Sequence, residues 1–324
     1  MMNSMLGALV GDAAGATLEF CNKEITEQMA LNAMTMPGGG VMRVGPGQIT
    51  DDGELTLTLW NSLNSFETSK IVPILTLMNG YKDWYKSCPF DIGRTCSQAF
   101  ETFYDFFKEQ YVHTLQNCKD IVKQLNEYSE ANGALMRATA IATWIVKNPD
   151  TTIEMGVECA KEDARLSHPN IICQEVNAIY VFAIINLLRG KTPNETIILL
   201  NKFIDNEITS KKVKIWYFEE SLNINCMNAT KDIGHVRWGF VMAIYFLRFP
   251  EISFEDAIKI TLMKGGDTDT NAAIVGGLVG AYQNIPDYML KPVLKFDCTI
   301  EGKNHHKRPD EYSVKKVIGH LIQL

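Results

Sequence analysis

The stretch Gly265-Gly266-Asp267-Thr268-Asp269-Thr270 combines two glycines, two carboxylates and two hydroxyls, and it leads into the apolar segment 272–282. A second cluster of the same kind, Thr50-Asp51-Asp52, follows two glycines and leads into the apolar segment 55–60. Both apolar segments have the character of helices. Asp and Thr are common N-caps, so one interpretation is that the two clusters simply cap two helices.

A second interpretation is that the two clusters bind metal together. Their four carboxylates would repel one another in a fold that brought them close, and a bound cation would offset that repulsion. A ligand set made only of oxygen atoms favours magnesium, manganese or calcium over zinc. The residues of the clusters alone leave both interpretations open.

Composition and charge exclude several classes of protein. The chain of 324 residues carries a net charge of −7, whereas nucleic-acid binders usually have a basic face. Its eight cysteines form no C-x-x-C pair and lie at no zinc-ligand spacing, as expected for reduced thiols of a cytoplasmic protein. The apolar N-terminus has no Lys or Arg before Lys23 and is interrupted by Asp12, unlike a signal peptide. The segment 272–282 is far shorter than the roughly 20 residues of a membrane span. We therefore expect a soluble cytoplasmic protein with neither nucleic-acid nor membrane partners.

Hydrophobic periodicity predicts an all-α chain. Apolar residues recur at helical spacing over 171–188, with Gly190 as a plausible C-cap, and 238–249 is apolar nearly all round. Ser253 is predicted to cap a helix over 257–263, with Asp256 in the Glu place of a capping box. A further helix is predicted over 134–146. Alternating strand patterns are scarce, and 38–47 is a glycine-rich loop suited to a close approach to a ligand, so an α/β enzyme is the less favoured alternative.

Several weaker features are ambiguous on their own. The small residues of the segment 11–15 would let a helix pack closely on a neighbour, and Asp12 and Glu19 are spaced to share a helix face. Glu19 lies between apolar residues, which suits either burial at a site or a surface position at a helix end. The Asn132-Gly133 turn precedes a predicted helix whose free N–H groups would suit phosphate. The histidines His168 and His235 are either ligand contacts or polar loop residues.

Considered in order, these motifs resemble those of the ADP-ribosylglycohydrolase family, the enzymes related to dinitrogenase reductase-activating glycohydrolase. The resemblance extends from Gly7 to about Gly280. It rests on Gly11-Asp12-Ala13-Ala14-Gly15 with Glu19, on Thr50-Asp51-Asp52, on Asn132-Gly133 with Met136-Arg137, on Ser167-His168, and above all on Gly265-Gly266-Asp267-Thr268-Asp269-Thr270.

The resemblance implies a single compact, orthogonal, all-α domain with a dinuclear magnesium or manganese centre in a cleft. One metal would be held by Thr50, Asp51, Asp52 and Asp269. The other would be held by Asp267, Asp269 and Thr270, with Asp269 as the bridge. Glu19 would be the catalytic residue that positions or deprotonates the water. The ADP-ribose groove would be lined by Asn132, Gly133 and Met136, with His168 and His235 at the diphosphate or adenosine.

The implied reaction is hydrolysis of the bond between ADP-ribose and a protein side chain, so the partners would be ADP-ribose and an ADP-ribosylated protein. Two alternatives stay open: an inactive ADP-ribose-binding or crystallin-like member, and a dinuclear metal hydrolase of a nucleotide or free ADP-ribose derivative. The acceptor side chain, arginine, serine or another, is not determined. We expect one domain over 1–324, with 291–324 as a C-terminal extension packed on it. Glu130 is either a second acid near the ribose or a surface charge, and the surface charge is favoured.

Overall fold

Helices alone build the part of the chain that the computed structural model describes, which is residues 2–65, 72–108, 115–303 and 305–318. Within these ranges there is no strand, only two isolated bridges, Gly39–Val44 and Ala131–His235. The predicted all-α class is therefore confirmed. The α-helices are α1 (Asn3–Gly15), α2 (Glu27–Met34), α3 (Asp51–Asn64), α4 (Ile74–Lys86), α5 (Arg94–Lys108), α6 (Leu115–Asn126), α7 (Thr139–Lys147), α8 (Ile153–Arg165), α9 (Ile171–Leu188), α10 (Pro193–Glu207), α11 (Lys211–Phe218), α12 (Val236–Arg248), α13 (Phe254–Met263), α14 (Thr268–Val279), α15 (Asp287–Lys295) and α16 (Val314–Val317). Three 3-10 helices accompany them: Glu220–Leu222, Ile224–Cys226 and Asp310–Tyr312.

Helix α9 lies in the core and has the predicted bounds. Its N-cap Asn170 accepts a hydrogen bond from the N–H of Ile172. At its end Gly190 has a φ of +88°, and the N–H groups of Gly190 and Lys191 donate to the carbonyls of Leu187 and Asn186, which is the Schellman arrangement. By length and composition α9 is the one described helix that could cross a membrane, but 78% of it is buried inside the protein, as in a core helix.

Helices α1 and α14 are in backbone contact along one face. A Cβ atom on Gly11 would lie 2.0 Å from the carbonyl oxygen of Ala272, and one on Gly7 would lie 2.1 Å from that of Gly276. A Cβ on Gly15 would lie 2.4 Å from the Cα of Asp269. The predicted close packing of the small-residue segment is therefore confirmed, and it joins the two ends of the chain.

Two local predictions were wrong in detail. Helix α1 ends at Gly15, so Asp12 and Glu19 do not share a helix face; Glu19 lies in the tight turns that follow. The helix predicted over 134–146 begins only at Thr139. The preceding residues form turns because the Asn132 carbonyl accepts from the N–H groups of Leu135 and Met136.

The capping box at Ser253 is only half formed. The Ser253 hydroxyl accepts from the N–H of Asp256, as predicted, but it also donates to the Asp256 carboxylate, 2.8 Å away. Because Asp is one methylene shorter than Glu, its carboxylate meets the Ser253 hydroxyl instead of the Ser253 backbone N–H.

The glycine-rich segment 38–47 is a loop, as predicted, but it faces the C-terminal residues. A Cβ on Gly47 would lie 2.5 Å from the backbone of Pro292, and the segment does not line the cleft described below. Next to it, Arg308 forms a buried two-point ion pair with Glu54 of α3, both N–O distances being 2.8 Å. Pro292 and Arg308 of the C-terminal segment therefore contact the glycine-rich loop and α3. One domain over 1–324 stays a prediction, and the last residues lie outside the described ranges.

Candidate metal centre and cleft

The contact between α1 and α14 places three carboxylates together in the interior. Asp12 comes from α1, Asp52 from the first turn of α3 and Asp269 from the first turn of α14. All three are buried, and each can present an oxygen atom within 4.8 Å of the other two. The two acidic clusters of the sequence therefore meet, as the metal interpretation requires.

The Thr50 hydroxyl lies among all three carboxylates of this group. It has one proton, yet it lies 2.8 Å from Asp12 Oδ1, 3.2 Å from Asp52 Oδ2 and 3.5 Å from Asp269 Oδ2. Since it can donate to only one of them, its lone pairs face the other carboxylates. Thr270 Oγ1 also lies 3.2 Å from Asp52 Oδ2. Oxygen atoms crowded in this way fit a cation between them.

A second group of carboxylates shares one member with the first. Glu19, Asp267 and Asp269 can likewise bring oxygen atoms within 4.8 Å of one another. The Asn132 side chain donates to Asp267 Oδ2 at 2.7 Å and fixes that carboxylate. Because Asp269 belongs to both groups, the geometry suits the predicted bridging role.

The electrostatics of the two groups favour a bound cation. Burial and the neighbouring acids raise the pKa values of Asp52 and Asp269 well above the usual range for Asp. Burial, with the charges of Asp91 and Asp267, raises the pKa of Glu19 to about 9. The atoms Asp52 Oδ1 and Glu19 Oε2 are buried without a hydrogen-bond partner. Among the described residues, no Lys or Arg forms an ion pair with a member of either group. The donor set therefore fits hard divalent cations.

The helix-capping interpretation does not account for these clusters. Thr50 and Asp267 do occupy the N-cap positions of α3 and α14, but neither side chain accepts a capping hydrogen bond. Both side chains take part in the carboxylate groups instead.

Asp12 and Asp91 were missed as site residues. The Asp12 carboxylate accepts from the N–H groups of Thr50 and Gly53 and from the Thr50 hydroxyl, so it holds the start of α3 in place. Asp91 lines the cleft, where burial and the charge of Asp267 raise its pKa to about 6. Its position between Pro89 and Gly93 was the only available signal. Asp51 also lines the cleft but belongs to neither carboxylate group, and its metal-ligand role stays a prediction.

The second carboxylate group, Glu19, Asp267 and Asp269, lines a cleft of about 390 Å³. Its walls include four of the residues predicted to bind ADP-ribose: Asn132, Gly133, Met136 and His168. Behind this wall the buried Arg137 donates to the Gly133 carbonyl and to Ser167 Oγ, both at 2.8 Å, and pairs with Asp163 at 2.9 Å. Arg137 therefore holds the two wall segments together.

Ser167 determines the proton position on His168. The Ser167 oxygen accepts from Arg137 and lies 2.9 Å from His168 Nδ1, which is the only acceptor that the described residues offer to the hydroxyl proton. Donation to Nδ1 leaves the histidine proton on Nε2, which is buried without a partner. Burial and the charge of Arg137 lower the pKa of His168 to about 3, so the ring presents a neutral N–H group.

His235 is placed differently from the other predicted residues. It is the N-cap of α12, accepts from the N–H of Arg237, and its Nε2 lies 3.0 Å from the carboxylate of Glu130. Glu130 also pairs with Lys212; its side chain is 21% exposed and does not line the cleft. His235 does not line the cleft, and its contact with ADP-ribose stays a prediction.

Comparisons with known proteins agree with this arrangement. A family model described as ADP-ribosylglycohydrolase matches residues 1–310. The chain is 27% identical to the ADP-ribosyl-[dinitrogen reductase] glycohydrolase of Rhodospirillum rubrum, over 93% of this chain and 91% of that protein. It is 25% identical to a putative ADP-ribosyl glycohydrolase, L543, of Acanthamoeba polyphaga mimivirus, over 94% and 93% of the two chains.

A solved structure, described as an ADP-ribosylglycohydrolase-related protein complex, has the same fold. It superimposes with a TM-score of 0.71 at 22% identity and covers 99% of this chain and 96% of its own. With a family model that matches nearly the whole sequence, the chain belongs to the ADP-ribosylglycohydrolase family.

Proposed function

We propose that this protein is a metal-dependent hydrolase that releases ADP-ribose from a modified protein side chain. The observation that carries the proposal is a cleft in which Glu19, Asp267 and Asp269 face a wall of Asn132, Gly133, Met136 and His168. Asp269 also belongs to the buried carboxylate group with Asp12 and Asp52. The names of its relatives, which include an ADP-ribosylarginine hydrolase, Tri1, of Serratia proteamaculans, support this class of reaction.

The metal ligands would be the hard oxygen donors of the two acidic clusters. Two Mg²⁺ or Mn²⁺ ions would be held by Thr50, Asp51, Asp52, Asp267, Asp269 and Thr270, with Asp269 common to both. When bound, such a pair would orient the ribose hydroxyls and acidify a water molecule. Asp12 would position Thr50, since it accepts the hydroxyl proton and leaves the lone pairs free.

Glu19 would act as the general base that accepts the proton of the attacking water. It lines the cleft, and its Oε2 atom has no hydrogen-bond partner. A carboxylate at this position can orient the water and take its proton as the bond to the acceptor breaks. Glu19→Gln should therefore lower kcat by about 10²- to 10⁴-fold, the usual scale for general acid–base catalysis, and leave the Kd for ADP-ribose nearly unchanged. An unchanged kcat would remove Glu19 from the mechanism.

The wall would recognise ADP-ribose through neutral groups. The His168 Nε2–H would donate to a diphosphate or ribose oxygen. The Asn132 amide donates to Asp267 and would also contact the ligand.

The eight cysteines are all free thiols, and this supports the proposal of a reducing, cytoplasmic location.

Product analysis tests the reaction. Purified protein would be incubated with Mg²⁺ or Mn²⁺ and with peptides that are ADP-ribosylated on arginine or on serine. Release of intact ADP-ribose from either peptide, lost on chelation, is the expected result. Release of AMP would instead indicate a phosphohydrolase. Tight ADP-ribose binding without release from any acceptor would indicate an inactive binding member.

A further inference from the structure

A second, larger groove adjoins the metal cleft. It has a volume of about 710 Å³ and is formed by three segments: 20–25, 225–233 and 263–266. We call it the second groove. The segment 263–266 connects α13 to the carboxylates, since Gly265 and Gly266 lead directly into Asp267. Both glycines have positive φ values, and a Cβ on Gly266 would lie 2.0 Å from the carbonyl oxygen of Ala229. The backbone of segment 263–266 is therefore in close contact with that of segment 225–233.

The second groove and the metal cleft meet at shared residues. Phe20 and Ile233 line both. Glu19 lines the metal cleft and the next residue, Phe20, lines the groove; Asp267 and Gly266 are divided in the same way. The N–H of Phe20 donates to the Gly266 carbonyl at 3.4 Å and joins these two segments. A molecule held at the carboxylates can thus extend directly into the second groove.

The chemistry of the second groove differs from that of the metal cleft. Three large apolar side chains on its walls are unusually exposed: Phe20 by 49%, Ile233 by 49% and Met263 by 40%. The titratable groups include Lys23, Lys264 and Glu24, a net positive set in a chain of net charge −7. Neither lysine forms an ion pair with any described residue. Asparagines 22, 225 and 228 add amide groups. Exposed apolar surface with amides and free cations suits a polypeptide that carries acidic side chains.

We propose that the second groove binds the acceptor protein, in the form of the peptide segment around the modified residue, and that Lys23 and Lys264 favour acidic residues in that segment. This inference rests on the proposed function, because a substrate with an ADP-ribose part and a polypeptide part needs two adjoining sites. The ADP-ribose part would occupy the metal cleft, and the polypeptide would leave it past Phe20 and Ile233.

Binding measurements with matched peptides test the proposal. The probes would be ADP-ribosylated peptides that carry either two glutamates or two glutamines beside the modified residue, with free ADP-ribose as the reference ligand. Kd values would be measured in the Glu19→Gln background, so that the peptides are not consumed. Lys23→Glu and Lys264→Glu would be compared with Lys202→Glu, an exposed lysine of α10 outside the groove.

We expect each groove variant to weaken binding of the glutamate peptide about two- to fivefold, the scale of one exposed ion pair, without changing the Kd for free ADP-ribose. The glutamine peptide and the Lys202→Glu control should show little change. The proposal is overturned if the groove variants bind the glutamate peptide normally. It is equally overturned if the groove variants weaken the binding of free ADP-ribose as much as that of the peptide, since the groove would then bind the nucleotide. Failure of the proposed function is seen separately, as no release of ADP-ribose by the wild-type enzyme.

Discussion

At the scale of single residues, Ser167 determines which ring nitrogen of His168 carries the proton, although Ser167 itself does not line the cleft. Ser167 accepts from Arg137, and donation of its proton to His168 Nδ1, 2.9 Å away, leaves Nε2 as the donor of a ring that lines the cleft. The low pKa of His168, about 3, keeps the ring neutral at physiological pH. In the proposed function, recognition of a phosphate or hydroxyl oxygen by His168 would therefore depend on the position of a hydrogen atom and not on a charge.

Ser167→Ala should disturb that proton position. Without the hydroxyl, His168 Nδ1 loses its partner and the ring becomes a mixture of both tautomers. Side-chain ¹⁵N NMR should show the Nε2–H form as dominant in the wild type and reduced in the variant. The Kd for ADP-ribose should rise about two- to tenfold, as for the loss of one hydrogen bond. The exposed Ser65→Ala serves as the control, and an unchanged tautomer in Ser167→Ala would contradict this account.

At the scale of elements, the backbone contact between α1 and α14 determines whether the carboxylates meet. Gly11→Ala would place a methyl group 2.0 Å from the Ala272 carbonyl oxygen and force the helices apart. Overpacking of this kind typically costs about 1–3 kcal/mol of unfolding free energy. Denaturant unfolding should show that loss, and the affinity for Mn²⁺ should fall with it. Gly93→Ala, where a Cβ meets nothing within 4 Å, should keep wild-type stability. Equal stability of the two variants would refute the role of the contact.

The helices also show which features of the fold can be predicted from the sequence alone. Helix α9 was predicted with its bounds because its apolar period and its glycine cap are local signals. The start of α7 was misplaced because the side chain of Arg137 and the carbonyl of Asn132 hold the preceding turns through contacts that no period shows. Asp12 was quoted as part of a motif, but its acceptance of three hydrogen bonds from the start of α3 depends on long-range packing. Asp91 belongs to none of the motifs that the sequence analysis identified.

At the scale of the whole molecule, the buried acids couple stability to pH and to cations. Unfolded carboxyl groups have pKa values near 4. Without a cation the folded protein raises the pKa of Glu19 to about 9 and that of Asp12 to about 7, chiefly by burial. From about pH 4 to 9 the folded state therefore holds protons that the unfolded state has lost, and the unfolding free energy falls as the pH rises.

The expected outcome is a Tm that falls between about pH 5.5 and 8.5 in chelator and falls much less in Mg²⁺. The cation replaces the protons and stabilises the folded state by mass action. Thermal melts at both pH values with and without Mg²⁺ measure this directly. Glu19→Gln should flatten the slope in chelator, because it removes one of the shifted groups. A Tm in chelator that rises with pH would show that these acids do not control stability.

The most direct test of the two-cation centre is calorimetric titration of Mn²⁺ into chelator-treated protein. Since Asp269 is the carboxylate common to both groups, the wild type should bind two ions per chain, and Asp269→Asn should lose tight binding of both. Asp287→Asn, which changes a highly exposed acid, should bind like the wild type. If Asp269→Asn still takes up two ions with wild-type affinity, Asp269 does not bridge and the proposed centre is wrong.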